Sequence, residues 1–309
     1  MPRYAVLISP RAEAAFFAQT LKVAQAELSG VPGVDQIAHH SIGEMHFLHI
    51  DSDDPQALLR LSFAHGLFEV DGDQLRPIDA KAGFALHPDF VWGEKYRGKT
   101  NETLTQLLIN LSLQLIEPKD GLRLLDPMCG RGTSLLWAMR YGISSVGIEQ
   151  DPSVLPQTHR GLKKWTKLHR TKHKLSDGWV QKTNKQGTGK YLQFETETAM
   201  RLIIGDTCNA HDLTQRKPFD LLVTDVPYGV QHMGGKDARS PLETLRRAAP
   251  VWAQCLVPGG VMAIAFNANI PKRAELIDAF EGLDVIELDV SHRMSEAILR
   301  DVLLLRMPA

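Results

Sequence analysis

A short leucine-rich strand pattern at residues 122–125 stops at Asp126-Pro127-Met128-Cys129-Gly130-Arg131-Gly132-Thr133 and passes into a helical pattern over 134–140. A strand, a glycine turn and a helix in direct succession constrain the fold more than any other feature of the chain. A strand that hands over at once to a helix is the repeating unit of a parallel sheet wrapped by helices. The same alternation runs almost to Ala309. Strands are expected at 145–148, 201–204, 221–224, 261–266, 285–290 and 302–306, which with the first makes seven in a doubly wound α/β sheet. A helix over 101–116 leads into the first of them.

The front of the chain has a different rhythm. Residues 4–8 read as a strand, 13–28 as an Ala-rich helix closed by Gly30, Pro32 and Gly33, and 35–40 with 46–51 as a hairpin about Gly43. Asp54 and Pro55 have the chemistry of an N-cap and a first helical position, with closure expected near Gly66 and a last strand at 67–70. That order, βαββαβ, is the ferredoxin-like one. Over 77–100 the period is lost, and Pro88, Trp92, Tyr96 and Gly98 suggest an extended connector. The expected organisation is a smaller N-terminal α+β ferredoxin-like domain at 1–80, a linker at 81–100 and the doubly wound domain at 101–309.

At 309 residues and 43% apolar content the chain can support two cores. The opening apolar run is five residues long before Pro10, too short for a signal or a membrane span, so a cytoplasmic protein with no membrane partner is expected. Cys129, Cys208 and Cys255 form no CxxC pair and suggest neither disulfides nor a thiolate metal site. His39, His40, His46 and His49 fall at strand positions that explain them without a metal, and none is expected. The net charge of −1 is unevenly spread. Between residues 158 and 190 ten Lys and Arg stand against the single acid Asp177, so this stretch reads as a basic insertion. Lys163, Lys164, Lys167, Arg170 and Lys174 have roughly helical spacing around Trp165, with Lys172 among them. Near absence of acid favours a phosphate-tracking surface, and a charged, partly disordered loop is the other reading of the same composition.

In a doubly wound sheet the turn after the first strand lies at the carboxyl edge, where ligands bind, and glycines such as Gly130 and Gly132 let a ligand approach the backbone. Glycine also serves a tight turn for backbone reasons alone, so this turn does not by itself identify a ligand. Glu149, at the end of 145–148, stands about 20 residues on, where an acid accepts both ribose hydroxyls of an adenosine. Asp206 ends 201–204 through Gly205 and suits either an adenine amino group or a helix cap. The dinucleotide GxGxxG spacing is absent, Leu135 standing in place of the third glycine, and so is a P-loop lysine. The strand at 221–224 ends in Thr224-Asp225-Val226-Pro227-Tyr228-Gly229.

The pair DPMCGRGT and TDVPYG resembles the class I methyltransferases that modify exocyclic amino groups, and the Gly after Tyr228 makes it most similar to the tRNA guanine-N2 methyltransferases. The resemblance covers residues 95–309 and implies a Rossmann-like methyltransferase sheet with S-adenosylmethionine as cofactor. It implies a cofactor set of Asp126, Pro127, Cys129, Gly130, Gly132, Thr133, Glu149, Asp206 and Asp225, and a catalytic set of Asp225, Pro227 and Tyr228. Val226 stands where the family more often has proline. The chemistry gives these roles a reason. An exocyclic amine is a poor nucleophile because its lone pair is delocalised, so a site must orient it and accept its proton. The Asp225 carboxylate and a carbonyl at Val226 or Pro227 can take its two hydrogens while Tyr228 stacks the base. The nucleic-acid contact then falls to Lys163, Lys164, Lys167, Arg170, Lys172 and Lys174, with tRNA as the expected partner. Such enzymes usually carry a ferredoxin-like domain and then a THUMP module, and no stretch before Asn101 is long enough for the second. The expected reaction is methyl transfer to N2 of a tRNA guanine. N6-adenine or N4-cytosine methylation of DNA or other RNA would use the same geometry, and a catalytically silent cofactor- and nucleic-acid-binding protein is the reading that Val226 favours.

Overall fold

The structure is a computed structural model that describes residues 1–9, 17–96, 98–183, 186–226, 241–288, 291–295 and 298–309. It divides into two units, Met1–Phe84 with Asp289–Ile298, and Ala85–Leu288 with Leu299–Ala309.

The first unit runs β1 (Arg3–Ile8), α1 (Phe17–Ser29), β2 (Val34–Ile42), β3 (Met45–Ser52), α2 (Pro55–Leu59), β4 (Ala64–Asp71) and β5 (Gln74–Pro77). The strands are antiparallel in the order β2-β3-β1-β4-β5, the ferredoxin-like arrangement with one added strand. Tyr4, Val6 and Ile8 of β1 and Leu48 and Ile50 of β3 share one face by the two-residue period and pack in one core with Leu28 of α1 and Leu58 of α2. Each buried leucine contributes roughly 2 kcal/mol. The Asp54 carboxylate caps α2 by accepting from the backbone N of Gln56 at 2.9 Å and of Ala57 at 3.1 Å. That helix ends at Leu59, well before Gly66, because Leu61 and Phe63 turn into the core and the chain enters β4 at Ala64. β5 has no counterpart in the sequence reading, although Gly72-Asp73 is a two-residue hairpin signal and Gly72 takes the positive φ such a turn requires. On β2 and β3, His39 Nε2 lies 3.1 Å from His46 Nδ1, and the His40 and His49 rings stack.

The second unit continues with α3 (Asp89–Trp92), α4 (Glu102–Leu113), β6 (Arg123–Asp126), α5 (Thr133–Arg140), β7 (Ser144–Glu149), α6 (Val154–Leu168), β8 (Lys174–Thr183), β9 (Gln186–Glu195), β10 (Ala199–Ile204), α7 (Ala210–Leu213), β11 (Phe219–Asp225), α8 (Pro241–Ala253), β12 (Leu256–Asn267), α9 (Arg273–Ala279) and β13 (Asp284–Ile286). After β14 (Ser291–Ser295), which falls in the first unit, comes the closing strand β15 (Ile298–Arg306). The sheet order is β13-β15-β12-β11-β6-β7-β10-β9-β8. β10, β7, β6, β11 and β12 are parallel neighbours, β15 is antiparallel to β12, and the β8–β9 hairpin is antiparallel at the other side. The near-continuous apolar runs of β11 and β12 are those of strands buried on both faces, and Leu222, Ile264, Phe266 and Trp252 lie at the centre of the core. The order reverses between β6 and β11, the place where an open α/β sheet leaves a crevice at its carboxyl edge.

Two sequence expectations change here. Residues 85–96 are not a bare connector: they belong to the second unit, and α3 within them buries Phe90 and Val91. The basic stretch is two different elements. Its first half is α6, the crossover helix between β7 and β10, with Leu162, Trp165 and Thr166 buried and its lysines outside. Its second half enters the β8–β9 hairpin. Among the described residues no helix is long and apolar enough to cross a membrane.

Candidate active site

Four carboxylates stand at the carboxyl ends of four adjacent parallel strands: Asp225 on β11, Asp126 on β6, Glu149 on β7 and Asp206 just past β10. The parallel register, which sets Leu222 beside Leu125, Asp126 beside Gly147 and Ile204 beside Glu149, brings residues scattered over a hundred positions of sequence to one edge.

Asp126 is buried and saturated. Its carboxylate accepts from Thr224 Oγ1 at 2.8 Å, from the backbone N of Met128 at 3.0 Å and from the Ser134 hydroxyl, so it ties β6 to β11 and to the first turn of α5. Burial lifts its pKa to about 6 against the pull of those donors. It shapes the turn that follows. Gly130 and Gly132 adopt positive φ, Cys129 N donates to Ile148 O at 2.9 Å, and Gly132 N to Cys129 O at 2.8 Å. A Cβ on Gly130 would meet nothing within 4 Å, so the backbone there faces open space that a ligand can fill. Pro127, Cys129 and Thr133 are buried and build the underside of the turn. A hydrogen bond links the Thr133 hydroxyl to Tyr96, whose own hydroxyl is pushed up by burial, and Arg131 lies 3.9 Å over the Tyr96 ring. An open pocket adjoins the turn, with Tyr96, Arg131, Thr133, Gln157, Thr158 and Trp165 in its wall.

Glu149 accepts from Gly130 N at 3.0 Å and from Asp151 N at 2.9 Å, which holds its carboxylate against the glycine turn. Asp206 is exposed and caps the short turn after β10 by accepting from Cys208 N at 2.8 Å. Of its two sequence readings the structure shows the cap, which leaves the carboxylate at the edge of the sheet. An open glycine backbone with Glu149 and Asp206 on the next two strands is a donor and acceptor set that fits an adenosine-bearing cofactor. Lys99 and Asn101, in contrast, are structural. Lys99 Nζ binds the carbonyls of Val91 and Glu94 and the Glu102 carboxylate, and Asn101 Oδ1 caps α4 by accepting from Leu104 N at 2.8 Å.

Asp225 closes β11. Its Oδ1 lies 2.8 Å from Nη2 of Arg300, a residue of β15 that is only 2% exposed, and Arg300 Nη1 donates to the Val226 carbonyl at 3.3 Å. Burial raises the Asp225 pKa to about 6, with Arg300 pulling it down and Asp126 pushing it up. Val226 is buried in the core and its N–H donates to Ala265 O at 2.8 Å, a bond that proline could not make. Pro227, Tyr228 and Gly229 lie outside the described residues.

Lys163, Lys164, Lys167, Arg170, Lys172 and Lys174 are all exposed, two of them paired, Lys164 with Glu94 at 3.0 Å and Lys174 with Glu195 at 3.8 Å. They do not line the carboxylate edge. A crossover helix runs back along its strands, so the C-terminal half of α6 and the start of β8 lie toward the amino edge. The far end of the hairpin points the other way: Tyr191 pairs with Ile203, so Lys190 and its cross-strand partner Trp179, 43% exposed, lie level with the carboxyl end of β10 on the side of Asp206. Sequence reasoning missed Arg300 and Gly147. A Cβ on Gly147 would fall 2.5 Å from Cys129 Sγ and 2.8 Å from Leu135 Cδ1. Near α3, His87, Asp89 and His169 hold three ligand-type atoms within 4.8 Å of one another, but the two imidazoles are stacked 3.6 Å apart, which does not converge their nitrogens on one point.

Residues 94–278 match the family described as UPF0020: RMKL-like, methyltransferase domain. No curated protein matches the chain. Among solved structures, similarity extends to TrmN from Thermus thermophilus, at 16% identity and a TM-score of 0.46 over 89% of this chain and 60% of that one. It extends also to the rRNA methyltransferase aviRa from Streptomyces viridochromogenes, at 14% identity and 0.45 over 72% and 93%. The N-methyltransferase NodS from Bradyrhizobium japonicum WM9, in complex with S-adenosyl-l-homocysteine, matches at 14% identity and 0.42 over 67% and 86%. The chain thus spans 60% of the length of the TrmN chain.

Proposed function

This chain belongs to the UPF0020 family of RMKL-like methyltransferase domains and uses S-adenosylmethionine, and from that premise we propose that it methylates the exocyclic N2 of a guanine in tRNA. The observation that carries the acceptor chemistry is the pair of oxygens at the end of β11: the Asp225 carboxylate and the Val226 carbonyl, side by side next to the cofactor turn. An exocyclic amine has two N–H hydrogens, and these two acceptors hold it with its lone pair free to face the methyl group. The cofactor supplies an electrophilic methyl carbon on a sulfonium. The protein's own work is alignment, which converts an encounter of two solutes into a reaction within one site. The glycine turn and Glu149 seat the adenosine, with Asp206 beside the adenine. Asp225 orients the amine and takes up its proton, and Tyr228, following Pro227, stacks the extruded base.

Val226 does not argue for a silent binder, because its burial and its N–H bond to Ala265 explain its presence without loss of the carbonyl. The exposed row from Lys163 to Lys174 supports a phosphate-tracking surface distant from the chemistry, and Lys190 with Trp179 supports a second contact nearer to it. The test is transfer of labelled methyl from S-adenosylmethionine to unmodified bulk tRNA, with nucleoside digestion and chromatography. Label in N2-methylguanosine is the expected result. Label in N6-methyladenosine or N4-methylcytidine would move the assignment to another amine, and no label in tRNA would remove tRNA as substrate.

A further inference from the structure

We propose that Arg300 is a positioning residue for the acceptor amine: its guanidinium grips the Asp225 carboxylate and the Val226 carbonyl together and holds both as acceptors. This rests on the reading of those two oxygens as the amine site. The geometry is specific. One guanidinium edge reaches both groups, at 2.8 Å and 3.3 Å, so the fork sets their spacing as well as their charge. Arg300 is 2% exposed on a strand paired to β12, so burial and strand pairing both fix its backbone. A carboxylate offers about four lone-pair sites and a carbonyl two, so an ion-pair contact to the one and a hydrogen bond to the other leave room for an incoming N–H.

The charge also matters. Among the described residues, the charged groups acting on Asp225 are Arg300 from β15 and Asp126 from β6. Burial and Asp126 both favour a protonated Asp225, and a protonated carboxyl would present a donor to an amine that itself donates. Arg300 opposes this. The residue therefore acts through Asp225 and does not touch the reacting atoms.

The test uses the full chain labelled with 13C at the aspartate carboxyl carbon, with Asp225→Asn assigning the Asp225 resonance. Wild type should titrate near pH 6. Arg300→Gln should move that titration upward by about one pH unit or more, and Arg300→Lys should return it toward wild type because the charge is restored. An Asp225 titration unchanged in Arg300→Gln would overturn the proposal. If Arg300→Gln does not fold, Arg300→Lys carries the test. A point charge without the fork should lower the rate of transfer at saturating cofactor by at least about tenfold while the acid limb of its pH profile stays in place. A lysine variant equal to wild type would overturn the positioning role. The titration needs no substrate, so its failure is distinct from a wild-type enzyme that methylates no tRNA.

Discussion

In the proposed mechanism Asp225 carries the acceptor chemistry, and its environment makes the consequence of losing it specific. Asp225→Ala removes the group that orients and deprotonates the amine but leaves the glycine turn and Glu149 intact. Methyl transfer should fall by at least about a thousandfold, while S-adenosylmethionine affinity in calorimetry stays within a few-fold of wild type. On that proposal the ionised form is the working one, and with its pKa at about 6 transfer should decline as pH drops through about 6. Asp126 gives the corresponding statement for stability. Its pKa rises from 3.8 to about 6 on folding, so between those values the folded state holds the extra proton and stability falls as pH rises. The loss is roughly 1–3 kcal/mol across that window. Urea unfolding at about pH 4 and about pH 6.5 should show this slope in wild type and a smaller one in Asp126→Asn.

At the level of elements, the turn between β6 and α5 depends on two glycines for different reasons. Gly147 on β7 underlies it, and a methyl there would drive into Cys129 and Leu135. Gly147→Ala should cost about 1–3 kcal/mol in thermal or urea unfolding and weaken cofactor binding with it. Gly130 has room but a positive φ of 53°, so Gly130→Ala should cost about 1 kcal/mol while lowering cofactor affinity more than stability. Val226, after β11, is also fixed by its backbone. Restoring the commoner proline deletes the bond to Ala265 O, and Val226→Pro should destabilise the protein by about 1–3 kcal/mol instead of improving transfer. Strand ends, caps and glycine turns were legible in advance because they depend on a few consecutive residues: Asp54 caps α2 as its chemistry demands. The extent of α2 and the presence of β5 were not, since burial of Leu61 and Phe63 and pairing with β4 decided them.

On the scale of the whole molecule, charge and chemistry occupy different places. The lysines of α6 lie toward the amino edge and the carboxylates at the carboxyl edge, so removing Lys163, Lys164 and Lys167 together should leave cofactor affinity unchanged and weaken tRNA binding. The slope of log affinity against log salt should fall by about two to three in filter binding at several ionic strengths.

From its sequence alone this chain specified a doubly wound sheet, a ferredoxin-like front, the glycine turn and the four edge carboxylates, because each is encoded in a local period or a short motif. Only the tertiary structure brought Arg300 to Asp225, placed Gly147 under Cys129 and divided the basic stretch between a crossover helix and a hairpin. Those outcomes depend on which strands become neighbours and in what register. That is settled by burial summed over the whole core, and no contiguous stretch of residues contains it.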